Sequence, residues 1–364
     1  MEKRVSPILY AVRSHNPLAS EHRRNLLLIE LSKRRCVIFL SDVRLKSVFP
    51  KISLINGNLI VVDNALRLSY SKLYSLCPKL VSALDSFFLE RILNQVGIEK
   101  FVPWITTAEP EVRDVFSRYR YVFDCIDPCF VSDNVETHEY VESQLVRKAA
   151  INFCTATALF DKCSRLSGHS YLVNNAVDER YLKTLAVRTT RGDLLSDSTI
   201  LYLGTIDWRI DFDFLLRIAT LGVPLVLAGR VNDSNKEFTK ELASFKNVSV
   251  LGPVSDSEGI DLLNNAAVAL LPYTPGAMND CINSLKMYLY LAAGLPILST
   301  AIQESVQNVL VTTSDCEVSK HLIDQLITSS RDISLVQTRR TFAAENTWNA
   351  RSLQVDSILQ DYDI

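Results

Sequence analysis

The chain lacks the cysteine pairs, glycine fingerprints and long apolar runs by which many proteins declare their class. Its eight cysteines include no C-x-x-C and no metal-ligand spacing. Cys36, Cys125, Cys154 and Cys281 lie inside apolar stretches, which suits reduced core residues rather than a disulfide framework or a zinc site. A cytoplasmic protein is expected. Neither G-x-G-x-x-G nor G-x-x-x-x-G-K-[ST] occurs, so a dinucleotide cofactor has weak support and a Walker-type nucleotide site has none. No apolar run approaches the length of a membrane span. The start does not read as a secretory signal either, because the short strand Ile8 to Val12 runs into the polar SHNPLASEHRR. No Pro/Ser-rich or low-complexity linker is present, yet 364 residues at 48% hydrophobic are enough for two domains with full cores.

Net charge is small, −2, but it is divided unevenly. Residues 1–190 carry 26 Lys and Arg against 20 Asp and Glu, whereas residues 191–364 carry 13 against 21. Arg13, Arg23, Arg24, Lys33, Arg34 and Arg35 concentrate the positive charge on and around a first helix, so peripheral contact with an anionic membrane is expected. The plainer alternative is a solvated helix face. Nucleic acid is not an expected partner, because the basic half is only mildly basic and lacks interleaved aromatics.

What the chain does have is a repeated strand-and-helix grammar. In the second half, Ile200 to Leu203 and Leu225 to Ala228 read as strands ending at Gly204 and Gly229, and Val248 to Leu251 reads as a strand ending at Gly252-Pro253. Helices are expected over Phe212 to Ala219, Lys236 to Phe245 and Ile260 to Asn264. Open α/β sheets bind ligands at the carboxyl ends of their strands, and a glycine there lets backbone approach a ligand closely. The apolar run Ala266 to Leu271 reads as a buried parallel strand, and Pro272, Pro275 and Gly276 then impose a loop. Helical periodicity begins at Asn283, with Leu285, Tyr288, Leu289 and Ala292 on one face, and stops at Gly294 and Pro296 before a strand at Ile297-Leu298. Lys286 falls in the first turn, where free N–H groups and the helix dipole already favour an anion. A lysine there suits a phosphate; the bland alternative is a solvated surface lysine.

The first half alternates too. Pro7 to Val12, Cys36 to Leu40, Leu59 to Val62, Lys100 to Trp104 and Arg120 to Asp124 read as strands, and Asn25 to Leu31 as an amphipathic helix. YVFDCIDPC delivers Asp124 and Asp127 to a strand end, with Pro128 forcing extension beyond it.

Residues from about Leu201 to Arg351 resemble the nucleotide-sugar-binding domain of glycosyltransferases with the GT-B fold. The matching pieces are YLGTIDWRIDFDFL, LVLAGRV, NVSVLGPV, NSLKMYLYLAAGLPILST and the tryptophan-bearing AAENTWNARSLQV. Upstream, YLVNNAVDERYL is similar to the N-G-V-D signature that closes the first domain, with Ala176 in the glycine position. The resemblance implies an α/β fold of two Rossmann-like domains facing a cleft: 1–182 for the acceptor, 183–345 for the donor, and 346–364 as a helix crossing back to the first domain. The polar stretch Leu182 to Ser198 is the natural boundary. Trp348, Leu353, Val355 and Ile358 are expected to form the buried face of the last helix.

Two departures qualify the resemblance. The glutamate pair of the large retaining group is replaced by Cys281 and Leu289, and a leucine cannot accept a hydrogen bond from a ribose hydroxyl. Of the usual Arg/Lys pair, Thr205 stands at the arginine position and Arg209 close to the lysine's. The chain is nearer to the divergent branch that includes the glucuronosyltransferase of xanthan assembly, where a loop tyrosine and a Met-Lys or similar dipeptide replace the glutamates. Tyr273 and Lys286 fill those roles.

The resemblance thus implies an inverting glycosyltransferase of bacterial surface polysaccharide assembly, moving a sugar from a nucleotide-diphosphate sugar, with UDP favoured, to a carbohydrate or lipid-linked acceptor. Neither cofactor nor metal is implied. Donor contacts fall on Gly204, Arg209, Arg230, Pro253, Val254, Tyr273, Met278, Asn279, Ser284 and Lys286, and acceptor-side contacts on Arg13 and His15. Inverting transfer needs a carboxylate to take the acceptor hydroxyl's proton; Asp127 is the expected base, with Glu136, His138 and Glu139 as understudies. A purely structural Asp127 capping the next helix is the alternative. A catalytically silent scaffold that binds a nucleotide or a partner transferase, and a nucleotide-sugar epimerase, are the other two readings.

Overall fold

A computed structural model describes residues 6–11, 22–42, 51–65, 72–95, 97–128, 135–185, 198–276, 279–300, 311–313 and 318–364. Arg13, His15 and Met278 lie outside the described residues. The chain divides into two compact units, one of residues 1–174 with 348–364 and one of residues 175–347. Each is an α/β layer structure built on its own sheet, as the strand-and-helix alternation requires.

The strands of the first unit are β1 (Ile8–Ala11), β2 (Val37–Asp42), β3 (Lys51–Asn56), β4 (Leu59–Ala65), β5 (Val102–Ile105), β6 (Val122–Cys125), β7 (Ile151–Cys154) and β8 (Ser170–Leu172), in the order β3-β4-β2-β1-β5-β6-β7-β8. All neighbours pair parallel except β3, which is antiparallel to β4 at the edge. β5, β6 and β7 are buried at every position, which is why they read as unbroken apolar runs, while β3 is exposed along nearly its whole length. The β3–β4 hairpin turns at Asn56-Gly57, where the Asn56 side chain accepts from the backbone N–H of Asn58 and Leu59. This Asx turn carries its own short-range signal, the Asn-Gly pair, which the sequence reading passed over.

The second unit holds β9 (Ile200–Leu203), β10 (Leu225–Ala228), β11 (Val248–Val250), β12 (Val268–Leu271), β13 (Ile297–Ser299) and β14 (Val311–Thr313), all parallel, in the order β11-β10-β9-β12-β13-β14. This is the doubly wound order in which the chain builds outward from one central strand and then restarts on its other side. The reversal lies between β9 and β12, paired through Val268–Ile200 and Ala269–Leu201. The intervening helices start where the sequence supplies caps: Asp211 accepts from Phe214 N–H, Ser255 and Glu258 form a reciprocal capping box, and Ser319 accepts from Leu322 N–H. Leu270, Leu271, Leu291, Ile297 and Leu298 are all fully buried, each contributing about 1.5–3 kcal/mol of transfer free energy as an upper estimate.

The helix Trp348–Asp361 packs in the first unit on the helix Arg23–Leu31. Its buried face is Trp348, Ser352, Val355 and Leu359, and Leu353 is 48% exposed, contrary to expectation. Counting four, three and four residues from Trp348 explains the result, since Leu353 is one step, about 100°, off that line. Of the basic cluster, Arg23 is buried against Asp124 and Arg35 is buried and paired with Asp356, while Arg34, exposed, donates to Ser352 and Asn349 and Lys33, exposed, pairs with Glu30. Among the described cysteines Cys125, Cys154 and Cys163 are buried and free, while Cys36 and Cys281 are only half-buried.

Candidate functional site

The carboxyl ends of β9 and β12 bring several expected donor residues together. Gly204 follows β9 with φ +147, a conformation that L side chains rarely adopt. A Cβ added there would lie 2.0 Å from Lys286 Cε and 2.9 Å from its Nζ. The strand-end glycine is therefore the space into which the lysine reaches. Gly229, at the end of β10 with φ +145, is equally constrained, because its Cβ would meet the Gly204 carbonyl oxygen at 2.0 Å.

Lys286 stands in the first turn of the helix Leu285–Ala292. Its N-cap Ser284 makes no side-chain capping hydrogen bond; the hydroxyl instead lies 3.3 Å from Tyr273 Oη. Lys286 Nζ donates to the same phenol at 3.3 Å and sits 5.5 Å and 5.8 Å from the ring centres of Tyr202 and Tyr273, within cation–π range. Burial pushes the Tyr273 phenol up, but the Lys286 charge, hydrogen bonds to Ser284 and Lys286, and the Arg209 charge outweigh it and hold the pKa below 10.0. In Tyr202 burial and its tyrosine neighbours push the phenol well up, and its hydroxyl donates to Thr205 O at 2.7 Å. Tyr290, fully buried and raised by that burial, accepts from Leu203 N–H at 2.9 Å and so ties the helix to the end of β9.

The helix is more enclosed than one apolar face requires. Met287, Tyr288, Tyr290, Leu291 and Ala292 are all buried, and the partly open side is Leu285, Lys286 and Leu289. Leu289 thus shares its side with Lys286, three residues away, and offers no hydrogen-bonding atom there.

Arg209 approaches from the loop after β9 but is not free. It donates to Asp207 at 2.6–3.2 Å through Nε and Nη2, and its own backbone N–H also binds Asp207 Oδ1. Burial would raise the Asp207 carboxyl; hydrogen bonds from Arg209, then the charges of Arg209 and Lys286, overturn that and hold it below its ordinary 3.8. Asn279 closes the loop, donating to Thr274 O at 2.5 Å, while its buried Oδ1 has no hydrogen-bond partner. Upstream, Asn283 accepts from Asn175 N–H at 2.7 Å and from Tyr288 Oη at 3.1 Å, fixing the approach to Ser284. Arg230, Pro253 and Val254 stand at the ends of β10 and β11, with Arg230 and Pro253 exposed. Arg230 is tied to the loop after β9 through backbone, by Ile206 N–H to Arg230 O at 2.8 Å, and Gly252, before Pro253, accepts from Gly229 N–H at 2.7 Å. Tyr202, Asp207, Tyr290 and Asn283 were not anticipated: a strand tyrosine and a loop aspartate carry no local signal until the fold sets them beside Lys286.

In the first unit the two aspartates separate. Asp124 is fully buried, 3.1 Å from Arg23 Nη2 and 3.3 Å from the indole nitrogen of Trp104. Asp127, three residues on, is exposed. The next described helix is Val135–Lys148. The Asp127 carboxylate acts on His22, the residue preceding the helix Arg23–Leu31: partial burial and Arg24 hold the imidazole below 6.5 against the pull of Asp127. Glu136, His138 and Glu139 lie in the first turns of the helix Val135–Lys148. Among the described residues no group of three His, Cys, Asp or Glu is placed to hold a metal ion, and no helix is long and apolar enough to cross a membrane.

No family model and no curated protein matches the sequence. Solved structures do match over nearly the whole chain. Sucrose-phosphate synthase from Thermosynechococcus elongatus aligns with a TM-score of 0.69 at 15% identity over 98% of each chain. Anabaena HepE in complex with UDP and glucose gives 0.62 at 14%, over 98% of this chain and 100% of that one. A trehalose-6-phosphate synthase, described as transferring glycosyl groups with retention, gives 0.63 at 12%, over 97% and 99%. The chain has the two-domain α/β fold of the GT-B glycosyltransferases.

Proposed function

We propose that this protein is a glycosyltransferase that takes a sugar from a nucleotide-diphosphate sugar, UDP-linked by preference, and passes it to a carbohydrate or lipid-linked acceptor. The observation that carries this reading is the placement of Lys286: a helix-first-turn ammonium, reaching the strand-end Gly204 at the point where the strand order reverses, with phenols rather than a carboxylate in contact. Such an arrangement places a cation and helix-end N–H groups where a diphosphate would sit. Gly204, Ser284 and Tyr273 shape the site, Arg209 reaches it while steadied by Asp207, and Arg230, Pro253 and Val254 extend it; Asn279 and Met278 remain proposed donor contacts. That HepE, with the same fold, is seen with UDP and glucose supports the choice of donor.

Mechanistically, Asp127 is the proposed base of an inverting displacement. Its exposure leaves the carboxylate able to reach an acceptor hydroxyl, and Asp124, sequestered by Arg23 and Trp104, is the structural partner. Arg13 and His15 remain acceptor-side proposals. The kinship with the xanthan glucuronosyltransferase branch, a role in bacterial surface polysaccharide assembly at the inner face of the cell membrane, and cytoplasmic residence belong to the same reading. Retention is described for the trehalose-6-phosphate synthase of this fold, so stereochemistry is the discriminating measurement. One observation favours a silent nucleotide-binding scaffold: Leu289 leaves the Lys286 side of the helix without a ribose acceptor. Incubation with UDP-sugars and acceptor glycans, followed by nucleotide release and NMR of the product anomer, separates the cases. Acceptor-dependent release with inversion supports the proposal; binding without release supports the scaffold.

A further inference from the structure

The helix Pro78–Gln95 carries apolar residues on both of its faces. Its buried face includes Ser82, Asp85 and Ser86 among Val81, Leu89, Ile92 and Leu93. Its outward face shows Leu80, Leu84 and Phe87 at 60%, 37% and 57% exposure, and Leu76 at the end of the preceding helix Lys72–Leu76 is 75% exposed. Spacings of four and three residues align Leu80, Leu84 and Phe87 as one stripe, with Leu76 just before its start. A surface helix ordinarily turns its apolar stripe to the core, and a contiguous apolar patch left in water marks an interaction surface.

The charges beside the stripe select its partner. Lys79 and Arg91 are exposed on the same helix. Of its two acids, Asp85 is buried, and Glu90 is exposed, accepting a hydrogen bond from Tyr119 Oη at 2.6 Å, so the exposed charges of the helix are two cations and one carboxylate. The rim keeps a net positive charge, and an anionic lipid surface complements both that charge and the leucines. We propose that this stripe is the membrane-docking surface: Leu76, Leu80, Leu84 and Phe87 enter the boundary between headgroups and acyl chains, and Lys79 and Arg91 meet lipid phosphates. The first helix, with Arg23 paired inside the unit and Leu27, Leu28 and Leu31 buried, presents no such stripe. The inference deepens the reading of a lipid-linked acceptor, but vesicle binding is measured without donor or acceptor, so either can fail alone.

The test is sedimentation of the full chain with vesicles of phosphatidylglycerol in phosphatidylcholine, and with phosphatidylcholine alone. Leu80→Glu combined with Phe87→Glu should lower vesicle affinity at least roughly tenfold, and Lys79→Glu with Arg91→Glu should remove the preference for anionic vesicles. Leu353→Glu, at an exposed leucine on the helix Trp348–Asp361, should change nothing. Thermal unfolding and UDP affinity measured on the same samples report misfolding, and the milder pair Leu80→Ser with Phe87→Ser should shift binding in the same direction. Unchanged binding in the stripe variants, wild-type binding that ignores lipid charge or is absent, or a wild-type dimer that the stripe substitutions dissolve would each overturn the proposal.

Discussion

Asp124 in the first unit and Lys286 in the second both stand by carboxyl ends of parallel strands, yet their surroundings are opposite. Asp124 has no exposed surface and meets a guanidinium and an indole N–H, so its charge is answered within the fold. Lys286 is half-buried and meets two phenolic rings and one phenol hydroxyl, beside a helix start that already favours anions. A buried charge with its counter-charge is structural material, whereas a charge held by neutral acceptors and rings retains most of its attraction for a ligand. Asp127, three residues beyond Asp124, differs in being exposed.

The largest effect that would sharpen this division is expected at Asp127. Asp127→Asn should leave UDP affinity intact while turnover falls by about 10²–10⁴, the usual contribution of a positioned base. Steady-state rates at the wild-type level would return Asp127 to a surface role. The opposite pattern is expected for its neighbour's partner: Arg23→Ala leaves the Asp124 carboxylate buried and unpaired and should cost about 3–5 kcal/mol in urea unfolding. A loss of under about 1 kcal/mol, the usual value of an exposed ion pair, would show that water reaches the site.

In the second unit, Lys286→Ala should weaken UDP binding by about 1.5–3 kcal/mol in calorimetry, while the melting temperature stays near wild type. Gly204→Ala tests the same contact from the other side, since its methyl would lie 2.0 Å from Lys286 Cε and displace the ammonium with its charge intact. UDP affinity unmoved by both substitutions would remove the phosphate assignment.

The smallest effect concerns pH. Because Asp207 is held below 3.8 in the folded chain, it contributes stability that is present above 3.8 and lost as pH falls through the lowered value. Stability of the wild type should therefore drop across that acid range, and Asp207→Asn should flatten this part of the profile. Parallel acid limbs in the two proteins would mean that the Arg209 pair contributes nothing net.

The site was legible in pieces. Strand-ending glycines at 204, 229 and 252, the Pro-Gly loop after Leu271 and the helix start at Ser284 all follow from local backbone chemistry. The prediction that Lys286 begins a helix after a buried strand needed nothing more. The exposed Leu353 and the buried Arg23 and Arg35 show where periodicity and charge counting stop. A pattern of residues gives a face, but the direction of that face depends on what packs against it, and Arg23 became structural only because β6 brought Asp124 beneath it. The β3 edge strand was missed although Asn56-Gly57 announced its turn, because its own residues are exposed and carry no core signal.

Elements, caps and the alternation of strand with helix were thus determined by the sequence alone, because turn geometry, capping and burial on both faces act over a few residues. The convergence of Gly204, Tyr202, Asp207, Tyr273 and Lys286, drawn from segments up to 84 residues apart, was decided by the tertiary structure. So was the choice of which charges are answered. Strand order β11-β10-β9-β12-β13-β14 places β12 beside β9, and no local interaction specifies that pairing; it arises only when both sheet faces are covered and the chain restarts beside its first strand.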